Sequence, residues 1–438
     1  MNRRQFIGGA LALASLGETE AFAAPRAKRY YKGNMHMHSV VSDGWAFPQE
    51  AAELYRRLGY HFVMLSDHNR AQGKSFWLKE KDYRHKTFSL IQFDRFAKMA
   101  PSLFPKSRVG DEGKTEYLVP SFSEIEQMLN RKDEFLVMNG CEFNNNGTFQ
   151  VHVQSVNSPV SHVGVYLPGS ADTTRQMFED WKRQTTARGD DSIFVVNHPL
   201  YWYYDVNPEI LADNDEIGFI EVSPSVLDLP PPPDVPVYTE DDLWDYALAK
   251  RLSRGGKLLY ATSTDDTHDY WALYDKVEGK PFKCLQRRPL CYVCVRADRL
   301  TPSSLLASLR AGDFYASTGV DLKDVSFQGG KLTVQVRAEK GAKYRIDFIG
   351  TKKDADLSHP DPVKVDVEEL CKRAKKPFAA WVGKYKYVAQ LPKACGRVLA
   401  SVEGTTGTYR LRGDELYVRA KVYRLGTDFC AWIQPVKG

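Results

Sequence analysis

The chain has 438 residues, of which 43% are hydrophobic, 12% aromatic and 26% charged. That composition excludes a disordered chain, a collagen-like fibre and a polytopic membrane protein, and the length implies one large unit plus a smaller one. Sixty basic against fifty-five acidic residues leave +5, spread without long like-charge blocks, which is too little for a nucleic-acid footprint.

Residues 1–23 read as an export signal. Arg3-Arg4 precede an apolar run from Phe6 to Leu16, and Ala21-Phe22-Ala23 supplies the small-x-small pattern of a cleavage site. The run is shorter than the roughly 20 residues that span a bilayer, so a twin-arginine signal and a periplasmic or secreted protein without a transmembrane anchor are expected.

From residue 24 to 319, compact apolar strands alternate with helical patterns. Phe62 to Leu65, Phe135 to Met138, Ile193 to Val196, Ile217 to Val222 and Leu258 to Ala261 suit strands buried on both faces. Pro48 and Gly59 bracket one helix, Ser121-x-x-Glu124 is a capping box for a second, Thr239 caps a third, and Thr301-Pro302 opens a fourth that ends at Gly312. Repeated strand and helix mean an α/β layer or barrel. Residues 71–120, charged with scattered aromatics, and 223–236, with the proline run Pro230–Pro233, interrupt the alternation as insertions, either lids or surface padding.

After Gly319 the period becomes two. Leu332, Val334 and Val336, then Tyr344, Ile346 and Phe348, then Val418, Ala420 and Val422 alternate, so residues 320–438 read as a smaller antiparallel, sandwich-like β unit, expected to be separable. Cys291 and Cys294 lie three apart on a strand and point to opposite faces, which disfavours a disulfide or half a zinc site. Buried free thiols are expected.

The chemistry collects where strands end. His36 and His38, two apart, face one side and can reach a single ion. Asp43 follows in a turn, and Asp67-His68-Asn69 closes the next strand. Glu142, His152, His198, and the pair Asp266 and His268 each lie in or at the end of a later strand. In parallel α/β folds the carboxyl ends of strands converge on one mouth. His61, His85, His162 and His359 fall outside this register and are read as incidental. Ligation by imidazole and carboxylate without thiolate suits zinc, manganese or iron.

In order, His36/His38, Ser42-Asp43-Gly44, Asp67-His68, Glu142, His152, His198-Pro199 and Asp266/His268 resemble the pattern of the polymerase and histidinol phosphatase (PHP) metal-dependent phosphoesterases, over Gly33 to Gly319. The resemblance implies a distorted (β/α)7 barrel with two or three divalent ions. By position it implies His36, His38, Glu142 and Asp266 on one ion, Glu142 bridging to a second held by His152 and His198, and Asp43, His68 and His268 on a third. Thr264-Asp265 stands where small residues are commoner in the family, and the tail is similar to β domains appended to some secreted members.

Three divalent ions against three carboxylates leave about +3, a pocket for a small phosphorylated substrate. A metal-bound hydroxide would attack phosphorus without a serine or cysteine nucleophile. Asp67, Asp265 and Arg70, beside the ligands, are candidates either for assisting the leaving group or for orienting an imidazole. Tyr201 to Tyr204 suit either the rim of the site or the core, and Arg287-Arg288, Arg70 and Lys74 either grip phosphate or are simply solvated. Two rival readings remain open at this point: hydrolysis of an amide or lactone by the same hydroxide, and a non-catalytic glycan- or ligand-binding protein.

Overall fold

The computed structural model describes residues 27–79, 91–145, 150–160, 169–222, 237–281, 290–378 and 383–438. The export signal of residues 1–23, the insertion at 223–236, His85, His162 and Arg287-Arg288 lie outside the described residues.

Short apolar runs become strands and capped amphipathic runs become helices. Phe62–Leu65 and Ile193–Val196 are fully buried strands, and the helix Phe122–Leu129 starts on the reciprocal hydrogen bonds of Ser121 and Glu124. Such a cap contributes about 1 kcal/mol by satisfying amides that the first turn leaves without partners. Thr239 caps Glu240–Ser253 in the same reciprocal manner with Asp242, and Thr301 caps Pro302–Arg310 by accepting from Ser304 N.

Among the described residues the main sheet has 13 strands. From one edge it runs Tyr260–Thr262, Phe219–Glu221, Ile193–Val196, His152–Val156, Leu136–Asn144, Phe62–Leu65 and Arg29–Asn34. It continues through Tyr292–Ala297, Phe314–Ser317, Cys430–Lys437, Glu415–Arg424 and Tyr344–Lys352 to Arg397–Glu403. The protein is therefore a mixed α/β fold on a large mixed sheet. Its ladder is open, and the distorted (β/α)7 barrel that the resemblance implies is not traced as a closed ring of hydrogen bonds. At the open edge Gln434 stands in for a neighbouring strand: its side-chain amide accepts from Ala261 N at 2.9 Å and donates to Ala261 O at 2.8 Å. Over the site, one bridge joins Met37 to Thr267.

Not all the strands are parallel. Leu136–Asn144 and His152–Val156 pair antiparallel, with Asn144 opposite His152, because the link between them is too short for the dozen or so residues of a parallel crossover. His152 thus reaches the site from the start of its strand, while Glu142 arrives near the end of its own.

The strand Phe314–Ser317 pairs with Cys430–Lys437, so the ladder passes from residues before 319 into the tail without interruption. There the strands Leu322–Gln328, Lys331–Val336 and Thr406–Arg410 form a second sheet, and the Ile346 and Phe348 side chains pack against Gly407 in it. Within 71–120, Phe76–Leu78, Ser107–Val109 and Thr115–Val119 form a small sheet. Phe93 and Phe96, on the helix Phe93–Met99, pack edge-on or tilted against Phe47 and Phe104. Part of this insertion therefore adds to the core. The six described cysteines are free, and Cys291 and Cys294 are buried. No helix among the described residues is long and apolar enough to cross a membrane.

Candidate metal centre

His36 and His38 lie just beyond Arg29–Asn34 in backbone held from three sides. Asn34 donates to His36 O and accepts from His36 N, Tyr270 donates to His38 O, and His38 N donates to Thr267 O. Asp43 sits on a turn that requires glycine at the next position, since a Cβ on Gly44 would come 2.2 Å from His38 O. Asp67 braces the same turn by accepting from the amides and hydroxyls of Ser39 and Ser42.

Three groups of donor atoms gather here, each within 4.8 Å: His36, His38, Glu142 and Asp266; His38, Asp43, His68 and His268; and His68, Glu142 and His152. His38 belongs to two of them, its ring stacked 4.3 Å from His68 and 4.1 Å from His268. His198 joins through Nε2, 3.4 Å from Glu142 Oε1. All nine side chains implied as ligands are therefore in one place. The grouping differs from the expected one at His38, which also joins Asp43, His68 and His268, at His68, which stands 3.0 Å from Glu142 as well as near Asp43, and at His198, which falls in none of the three groups.

The donor set fits cations. His36 Nε2, His68 Nδ1, His152 Nδ1 and Glu142 Oε2 are buried and make no hydrogen bond among the described residues. Yet these three nitrogens stand 3.2, 3.0 and 3.3 Å from Glu142 oxygens. Tetrahedral ligands at about 2.1 Å from an ion lie about 3.4 Å from one another, so this spacing suits atoms that share a cation. Imidazole and carboxylate without thiolate match zinc, manganese or iron.

Electrostatics agree. Burial alone would raise the Glu142 carboxyl, but His36, His68 and His152 hold it well below the usual range. Burial would lower His36, and Glu142, Asp266 and Glu221 raise it well above its ordinary value. His152 is pushed down to about 4 because burial outweighs Glu142, which leaves it in the neutral form that binds metals. Asp266 has φ +47°, a left-handed conformation that aspartate tolerates better than most residues.

Of the three residues offered for assisting chemistry or for orienting an imidazole, Asp67 and Asp265 are turned to other partners. Asp67 is spent on the turn. Asp265 accepts from Tyr55 Oη and Cys291 N, and burial pushes its carboxyl up to about 7. Arg70 and Lys74 are exposed. Tyr201 lies at the rim, its ring 4.8 Å from His198 and 5.7 Å from His152, whereas Tyr203 and Tyr204 are core. His61 accepts from Lys32 N, and His359 sits by Glu209 and Tyr246, both outside the centre.

Sequence reasoning passed over Glu221 and Asn197. Glu221 is 2% exposed at the end of Phe219–Glu221. It accepts from His198 N at 2.9 Å and from Thr264 Oγ1, and lies 3.4 Å from His36 Nδ1. It holds His36 with Nε2 toward the other ligands, as carboxylates behind metal-binding imidazoles do. Asn197 donates to Glu142 Oε1 at 2.8 Å. A carboxylate inside the apolar run 217–222 was the available signal.

No protein-family model and no curated protein matches this sequence. Among solved structures, the chain is similar to a two-domain protein from Bacteroides vulgatus containing a predicted PHP-like metal-dependent phosphoesterase, at 14% identity and TM-score 0.40 over 94% of each chain. It is also similar to an amidohydrolase from Chromobacterium violaceum with bound sulfate and no metal, at 14% identity and TM-score 0.26, over 54% of this chain and 87% of that one. At these values neither likeness assigns a residue or an activity, and the centre rests on the side chains of this protein.

Proposed function

We propose that this protein is a metal-dependent hydrolase of the PHP type, acting on a small phosphomonoester or phosphodiester. The observation that carries the reading is the convergence of nine imidazole and carboxylate side chains, among which the buried donor atoms of His36, His68, His152 and Glu142 lie at the spacing of atoms sharing an ion. Bound divalent ions would supply an activated water at neutral pH and stabilise charge on the attacking and leaving oxygens.

The chain's own residues do the rest. Glu221 holds a proton on His36 Nδ1, and Asn197 fixes the Glu142 carboxylate. His268 Nδ1 donates to Asp266 O, leaving Nε2 toward Asp43. His36, His38 and Glu142 side chains are wholly enclosed, whereas Asp43, His68, Asp266 and His268 are 17–28% exposed. Substrate would enter on that open side, with Tyr201 on the wall beside His152 and His198. Three ions against the carboxylates of Asp43, Glu142, Asp266 and Glu221 would keep about +2, which attracts a phosphate dianion.

The same reading takes Arg29–Asn34 to Tyr260–Thr262 as a PHP-type barrel left open at one seam, and residues 1–23 as a twin-arginine signal that sends the protein to the periplasm or medium. An exported chain beginning at Ala24 would support the latter, and a retained leader would overturn it. The function is tested by elemental analysis with p-nitrophenyl phosphate, bis(p-nitrophenyl) phosphate, an anilide and a lactone. Ion-dependent phosphate ester cleavage is expected. Turnover confined to the anilide or lactone would replace the phosphate reading, and bound ions without any turnover would favour a binding protein.

A further inference from the structure

Two buried polar contacts run from the tail of the chain to the segments that carry ligands. Lys386, on the strand Tyr385–Val388, pairs with Asp205, and both side chains are 1% exposed. Asp205 also accepts from the backbone amides of Gln150 and Tyr203. Gln150 is two residues before His152, and Tyr203 is in the helix Tyr201–Tyr204 that follows His198. On the other side, Gln434 makes its two hydrogen bonds to Ala261, in the edge strand that leads to Asp266 and His268. That strand is laddered on one side only, by Phe219–Glu221.

A buried ion pair adds little net stability over an apolar pair of the same volume, so geometry is the better account of it. A side-chain amide that satisfies both polar groups of one edge residue pins that strand at a single register. We propose that residues 320–438 position the metal centre: Lys386, through Asp205, holds the segments bearing His152 and His198, and Gln434, through Ala261, holds the segment bearing Asp266 and His268. Both are positioning residues, and the inference rests on the metal reading above.

The test is hydrogen–deuterium exchange of the metal-free full chain, with Mn2+ titration of the same samples. In Lys386→Met, exchange should rise about tenfold or more at 150–156 and 198–206 and stay unchanged at 259–268; in Gln434→Leu the pattern should reverse. Tenfold is the counterpart of one buried hydrogen bond lost. Mn2+ affinity should fall about tenfold in each, as when ligand-orienting contacts are removed. Should Lys386→Met not fold, Asp205→Leu/Lys386→Met leaves no lone buried charge and should show the same local rise. Exchange that is unchanged, or that rises uniformly along the chain, would overturn the proposal. A wild-type chain that takes up no Mn2+, Zn2+ or Fe2+ would instead sink the metal reading, while the exchange pattern would still decide the coupling.

Discussion

Replacing Glu221 with glutamine removes one charge from beneath the centre and almost no volume. The carboxylate accepts from His198 N at 2.9 Å and lies 3.4 Å from His36 Nδ1. Hydrogen bonds to charged groups contribute about 1.5–3 kcal/mol, against about 0.5–1.5 kcal/mol for neutral ones, so each contact should lose roughly 1 kcal/mol. The His36 contact is long and counts for less. Together they come to roughly 1–2 kcal/mol, a drop of about 5- to 30-fold in affinity for the ion bound by His36. Competition against a chromophoric chelator measures this directly, with Zn2+ or Mn2+ added to metal-free protein. Thermal melting of the metal-free variant should stay close to wild type. Wild-type affinity in Glu221→Gln would refute the argument that this carboxylate orients His36.

Further outcomes concern other parts of the molecule. His38→Ala and Asp266→Ala should each lower bound metal and cut phosphate ester turnover by more than about a hundredfold, with an unchanged far-UV circular dichroism spectrum. Full activity in both would defeat the mechanism. Glu50, buried between Phe47 N and Tyr274 Oη, has its carboxyl pushed by burial from 4.5 up to about 8. Between those values the unfolded chain releases the proton and the folded one keeps it, so stability falls as pH rises, by up to roughly 5 kcal/mol. Glu50→Gln should remove that part of the fall, matching wild type near pH 4.5 and exceeding it at pH 8 in urea titrations. A chain truncated after Gly319 should aggregate: it exposes the edge of Phe314–Ser317 and removes Arg419 from buried Asp245, where an unpaired charge costs about 3–5 kcal/mol. A soluble truncated chain with wild-type melting would contradict this.

Local rules were enough for much of the chain. Apolar runs of four to six residues located the strands, Ser121, Thr239 and Thr301 located helix starts, and period two marked the tail, because these depend on neighbours a few residues away. The nine side chains that gather at the candidate centre were also legible, since imidazoles and carboxylates at strand ends have few other reasons to recur in that order. What pairs with what was not. That His152 enters from an antiparallel strand, that His68 also faces Glu142, and that Asp67 and Asp265 turn to Ser39, Ser42, Tyr55 and Cys291 depend on contacts between distant segments. The reach of the tail into the sheet had no local signal either: Lys386 and Gln434 look like ordinary surface residues in a period-two pattern until Asp205 and Ala261 are brought to them. The residue types set which groups can ligate and which segments are strand or helix, whereas burial and partnership, which govern charge and orientation, arise only when the segments pack.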